Sequence, residues 1–282
     1  MANKVAIITD STVNLPEGAM EEYNIQTVPL IIHWDDKSYI DQVELTTKDF
    51  YKRLANSKTL PSTSQPSISA FVEVYQPLID QGYDIITMPL SAGISGTYLS
   101  ASAAAGQFPI GRIEVLDTKS VSVGLGMILV KVGRAAKAGA SLQECREIAL
   151  ETASRVHIYF SVETLENLRK GGRINSAAAF LGTALDMKPI LEFRGGLIEA
   201  KERVRTSKKA HARLIELTEE IVGANAEIEF AGFVSAAAQP VMEELRQEAH
   251  KHFKIKEEII GELSPVLGTH VGIGTVGIGF LA

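Results

Sequence analysis

The segment that most constrains this chain runs from Asp84 to Ala105. Asp84-Ile85-Ile86-Thr87-Met88 has the length and composition of a buried strand. A turn of small residues follows, Ser91-Ala92-Gly93-Ile94-Ser95-Gly96, after which Leu99, Ala101 and Ala103 to Ala105 favour helix. A strand that enters a helix through such a loop leaves backbone N–H groups unpaired at the helix start. Those donors and the positive end of the helix dipole suit an anion. Gly93 and Gly96 let a ligand approach the backbone with no Cβ in the way, and Ser95 and Thr97 add hydroxyls. An ordinary Gly/Ser turn with Thr97 as N-cap would use the same residues.

A second polar stretch, Leu60-Pro61-Ser62-Thr63-Ser64-Gln65-Pro66-Ser67, shifts the balance towards a ligand. Ser67 reads as the N-cap of a helix carrying Ala70, Phe71, Val74 and Leu78. The hydroxyls before it form a loop stiffened by two prolines, which could equally be a solvated surface loop.

Around these stretches strands and helices alternate. Val5–Ile8 reads as the first strand, with Thr9-Asp10-Ser11-Thr12 at its end, and Pro16 to Tyr23 as a short helix. Val28 to Trp34 reads as one strand, in which Pro29 marks either a sheet edge or a strand start. Ile113–Leu116 is a strand ending in Asp117-Thr118, followed by helices near 121–138 and 141–155. This order implies α/β architecture with a mostly parallel, Rossmann-like sheet and helices on both faces. Ligands of such sheets lie beyond the strand C-termini. The clusters at Asp10–Thr12, Ser91–Thr97 and Asp117-Thr118 are expected there, converging with Thr63 on one anion site.

The second half is mixed. Pro189–Phe193 and Leu197–Ala200 flank Arg194-Gly195-Gly196 as a hairpin. Gly171 is placed to end a short helix as its C′ residue, and a helical stretch is expected around 176–185. Gly268 to Gly274 opens a last strand, Thr275–Leu281. With 282 residues the chain exceeds what one core supports comfortably. Two α/β domains are expected, 1–157 and 158–282.

Composition excludes several functions. A net charge of −6 argues against a broad basic face for nucleic acid. A single cysteine, Cys145, rules out an intrachain disulfide and a cysteine-based metal cluster. The N-terminus enters a strand with no charged leader, and no apolar run reaches the ~18 residues of a membrane span. A cytoplasmic protein is expected.

Six short motifs occur in order along the chain: Thr9-Asp10-Ser11-Thr12, Thr63-Ser64-Gln65-Pro66-Ser67, Ser95-Gly96-Thr97, Gly171-Gly172-Arg173-Ile174, Lys188-Pro189-Ile190 and Gly268-Thr269-His270-Val271-Gly272. Together they resemble the DegV family over essentially the whole length. The resemblance implies a two-domain protein that binds one long-chain fatty acid, such as palmitate, between its domains. It also implies a separate kinase subunit that phosphorylates the bound carboxylate, as in bacterial fatty acid kinase, so the chain itself would be no enzyme and need no cofactor. Transient contact with a membrane surface is compatible with that role. By the same resemblance Thr63, Ser95 and the Gly96 N–H bind the carboxylate, His270 completes the polar network, Arg173 supports it, and Arg205 faces the kinase subunit. Hydroxyl and amide donors suit a carboxylate without locking it in an ion pair. A chain of about sixteen carbons, at ~0.8 kcal/mol per buried methylene, would supply on the order of 10 kcal/mol before ordering costs. Ile94, Phe160, Phe180, Leu181, Leu185 and Ile190 are candidate tunnel walls, though core packing alone would use them too.

Two other functions compete. Gly93-Ile94-Ser95-Gly96-Thr97 superficially resembles the G-x-S-x-G elbow of serine hydrolases, with Thr97 in place of the last glycine. His270 could act as base there, and Asp117 or Asp186 as acid. The related dihydroxyacetone kinase subunits suggest small-carbonyl binding instead. No P-loop is present, so phosphoryl transfer needs a partner.

Overall fold

The computed structural model describes residues 3–180 and 187–282. Its first sheet is parallel. Strand β1 (Val5–Asp10), buried at all six positions, pairs on one side with β2 (Ile25–Val28) and on the other with β6 (Asp84–Thr87), which pairs with β7 (Ile113–Val115). Continuous burial explains the unbroken apolar runs of these strands. Helix α1 (Ala19–Glu22) is one turn long, shorter than the sequence implied. Helices α3 (Ile68–Asp80), capped by Ser67, and α4 (Thr97–Ala105) pack Phe71, Tyr75, Ala101 and Ala104 against Ile8 and Ile85.

The expected single strand at 28–34 is two. β2 ends at Val28, and after Pro29-Leu30 the chain starts β3 (Ile31–Trp34) in a different sheet. Proline lacks the N–H that would continue the ladder. This antiparallel sheet, in the order β4-β3-β5, joins β3 to β4 (Lys37–Ile40) and β5 (Ser62–Ser64). Thr63 therefore sits on a strand opposite Ile32, not in a free loop. Helix α2 (Thr47–Leu54), with Thr46 as its cap, covers the sheet with Phe50 and Tyr51.

The second sheet is mixed, in the order β10-β9-β8-β13-β11-β12: β8 (Val156–Ser161), β9 (Lys188–Arg194), β10 (Leu197–Val204), β11 (Glu227–Ser235), β12 (Lys254–Glu262) and β13 (Val276–Leu281). The β9–β10 hairpin turns at Gly195-Gly196, both at positive φ as such a two-residue turn demands. Helices α8 (Ser207–Val222) and α9 (Gln239–His252) cover its outer face, where Ile190 and Tyr159 lie.

Helix α5 (Ser122–Lys137) sits between the two sheets, with eleven of its sixteen residues buried. Leu125, Ile128, Leu129 and Val132 pack on the parallel sheet and on α6 (Leu142–Ser154), which a Ser141–Glu144 capping box starts. Val123, Met127 and Val130 pack in the core shared with the mixed sheet. The fit is close: a Cβ on Gly232 of β11 would lie 2.5 Å from Val123 Cβ.

Two segments at the site differ from expectation. Residues 265–271 form a helix, α10 (Pro265–Val271), with Ser264 as cap and Pro265 in its first turn. The sequence places them at the opening of the last strand, because their glycines mask the Ser-Pro start signal. Short helix α7 (Glu166–Lys170) ends at Gly171, but Gly171 has φ −74° and the left-handed position falls on Gly172. Of the helix expected at 176–185, residues 175–180 form a 3₁₀ turn. Leu181, Leu185 and Asp186 lie outside the described residues.

Candidate functional site

Between the two sheets lies a cavity with about 920 Å³ of empty space, its mouth included. Both halves of the chain line it. Leu90, Ile94 and Val121 face Phe160, Val234 and Leu263 across it, so most of its wall is apolar. Among its polar side chains Thr63, Gln65, Ser95, Arg173 and His270 form one group, and Ser64, Ser122 and Thr275 line it as well. A groove on the outer surface, lined by Gly93, Ser95, Gly96, Gly172 and Arg173, shares Ile94, Ser95 and Arg173 with the cavity. That polar group therefore adjoins solvent.

Each polar group is held by its element. Thr63 Oγ1 on β5 lies 2.8 Å from His270 Nε2 on α10. His270 Nδ1 is shielded from solvent and has no hydrogen-bond partner. It faces Gly171 so closely that a Cβ there would lie 2.3 Å away. A buried N–H without an acceptor is costlier than an unused lone pair. The proton is thus assigned to Nε2, which donates to Thr63 Oγ1, leaving the Thr63 O–H free to donate to a ligand. Burial, and secondarily the Arg173 charge, push the His270 pKa down to about 4. The ring is neutral near pH 7.

Arg173 donates from Nε to the Ile94 carbonyl at 3.0 Å and from Nη1 to that of Gly171. Among the described residues no carboxylate pairs with it, so an anion would meet a positive charge tied only to dipoles. Ser95 Oγ lies 2.8 Å from Thr97 Oγ1 and accepts from the Thr97 N–H. No side chain caps α4 at Gly96, which leaves N–H donors at its first turn. The Gln65 amide lies over Gly96, where a Cβ would come within 2.9 Å of its Nε2. Glycine is needed there for close approach, and Gln65 is a site neighbour that the sequence reading did not single out.

The predicted convergence of four polar clusters reduces to two. Asp10 is buried and braces loops: its carboxylate accepts from the Thr12 N–H and hydroxyl and from the Leu90 N–H. Burial raises its pKa against those hydrogen bonds. Asp117 accepts from the Lys119 and Ala92 N–H groups. Asp41, unnoticed in the sequence, is fully buried and accepts from the Ser11 hydroxyl at 2.6 Å. Burial pushes its carboxyl up to about 7, and nearby Asp10 adds to the rise.

Of the proposed walls, Ile94 and Phe160 line the cavity. Ile190 does not: it points to the opposite face of the sheet, into the core under α8, because side chains alternate along a strand. Phe180 packs against the shared core with the Arg203 guanidinium over its ring and is not among the residues that line the cavity. Arg205 is exposed in the turn between β10 and α8, outside the cavity. A hydrolase dyad is not assembled, since His270 Nε2 is engaged with Thr63 and Ser95 Oγ with Thr97.

Comparison with known proteins agrees with this architecture. A DegV domain-containing protein of Listeria innocua is 35% identical over 280 residues, covering 99% of this chain and 98% of that protein. The solved structure of a DegV family protein from Thermus thermophilus, described for its fatty acid binding, superposes with a TM-score of 0.92 at 32% identity and 99% coverage of both chains. DegV of Bacillus subtilis, described as a fatty acid binding protein, superposes with a TM-score of 0.88 at 32% identity over the full length of both. The profile of uncharacterised DegV family proteins matches residues 4–282, and this chain belongs to the DegV family.

Proposed function

We propose that the protein binds a single long-chain fatty acid, with its carboxylate among Thr63, Ser95, the Gly96 N–H, His270 and Arg173, and its tail in the apolar cavity. The observation that carries this reading is the cavity's chemistry: a polar group of side chains adjoining the outer groove, on a wall that is mostly apolar. The described functions of the Thermus and Bacillus relatives support the same ligand. The tail supplies most of the affinity, on the order of 10 kcal/mol for about sixteen methylenes before ordering costs. The hydroxyl and amide donors orient the head.

The chain acts as a carrier and not as a catalyst. Its Ser95 and His270 hydrogen-bond to other groups, and the sequence has no P-loop. A carboxylate held at the open groove is accessible to a second protein. We infer that a separate kinase subunit reaches it there to form the acyl phosphate, with exposed Arg205 on the partner-facing side, in the cytoplasm. Holding the carboxylate by donors, with Arg173 tied to carbonyls, leaves its oxygens more nucleophilic than a bidentate arginine clamp would.

Joint replacement Thr63→Ala and Ser95→Ala tests the site. The double variant keeps its circular dichroism spectrum and loses stoichiometric fatty acid. Retention of one fatty acid per chain would place the carboxylate elsewhere.

A further inference from the structure

A second cavity, with about 1030 Å³ of empty space including its mouth, lies behind the first between α6, the 117–120 loop and the tip of the β9–β10 hairpin. Its lining is mixed: Asp117, Lys119, Ser154, His157, Glu192 and Arg194 stand beside Ala153, Val156 and the exposed Leu150. Two residues line both cavities: Ile158 and Phe193. They stand directly opposite each other on β8 and β9 and are 6% and 7% exposed. Ile158 is wedged against α5, where a Cβ on Gly124 would lie 2.7 Å from its Cδ1.

The residues that the first cavity shares with the outer groove are Ile94, Ser95 and Arg173; those that it shares with the second cavity are Ile158 and Phe193. The two sets have no member in common, and only the first carries polar side chains. The cavity thus has a polar boundary open to solvent and an apolar boundary one side chain thick. The geometry points to the Ile158–Phe193 pair as the wall that limits the acyl chain, and so as the determinant of chain length. This rests on the fatty-acid reading above. A tail longer than the first cavity meets the isoleucine and the phenylalanine ring. Removing the ring joins the two spaces and lets the tail run on past Val156 and Ala153 into the second.

The test uses the full chain and an equimolar mixture of saturated fatty acids of even length from twelve to twenty-four carbons, with the bound species read by native mass spectrometry. Wild type takes one acid with a sharp upper limit of length. Phe193→Ala moves the optimum and the limit to longer chains. Phe193→Leu, which keeps most of the buried apolar surface, moves them in the same direction by less and serves if the alanine variant does not fold. Leu150→Ala, at a residue that lines the second cavity and not the first, leaves the limit in place. An unchanged length profile in a loaded Phe193 variant, or an equal shift in Leu150→Ala, overturns the wall. Failure of the wild type to take any acid overturns the fatty-acid reading itself, and the wall with it.

Discussion

Protonation of His270 should destabilise the unliganded protein by an amount that the structure fixes. The ring has an ordinary pKa of 6.5 in the unfolded chain and about 4 in the folded one, chiefly through burial and then through Arg173. Between those values the unfolded chain binds more protons, so stability is full above the unfolded value and is lost as pH falls. Integrating the linkage gives a loss of about 2 kcal/mol by pH 5 and about 3 kcal/mol by pH 4. Other groups titrate in this window, and Asp41 acts with the opposite sign. The difference between wild type and His270→Gln isolates the ring. The glutamine keeps a donor near Thr63 and cannot ionise. Urea unfolding of both proteins at about pH 7.5 and pH 5, analysed by linear extrapolation, should show wild type losing about 2 kcal/mol relative to the variant on acidification. Parallel pH dependences would refute the reasoning, because they would mean that His270 is not held neutral by its surroundings.

Other consequences follow from the same geometry. A bound carboxylate beside His270 favours the imidazolium, so fatty acid should blunt that acid sensitivity, which the same titration with palmitate present checks. Gly171→Ala leaves the backbone unstrained at φ −74° but puts a Cβ 2.3 Å from His270 Nδ1. It should displace the ring and weaken fatty acid binding in a competition assay, with little change in unfolding temperature. Asp41→Asn removes a carboxyl whose folded pKa is raised from 3.8 to about 7. In wild type that group stabilises most below 3.8 and the contribution fades as pH rises to about 7. The variant should lack this part of the slope in pH-dependent denaturation.

Much of the architecture is legible locally. The apolar runs at β1 and β6, the caps at Thr46, Ser67, Ser141 and Thr206, and the Gly195-Gly196 turn each carry a signal within a few residues. What the sequence hides is pairing between distant segments. The three-stranded sheet brings Ser62–Ser64 against Ile31–His33, and nothing in Pro61-Ser62-Thr63-Ser64 has strand composition. Asp10 and Asp117 have the types and positions of ligand groups, yet the loops use their carboxylates to satisfy their own N–H groups. Ile190 shows the same limit for apolar residues: alternation says that two faces exist, and only the packing of α8 says which one Ile190 occupies. Thr63, Ser95, Arg173 and His270 come from four distant stretches. The family resemblance grouped them, and the fold gathers them on one cavity.

The central claim is most directly tested by native mass spectrometry of the protein purified from a bacterial host, repeated after denaturation and lipid extraction. The account predicts a mass excess of one fatty acid per chain in the native state, absent after unfolding and recovered as a free acid in the extract. Protein that carries no adduct and takes up neither palmitate nor oleate would contradict it.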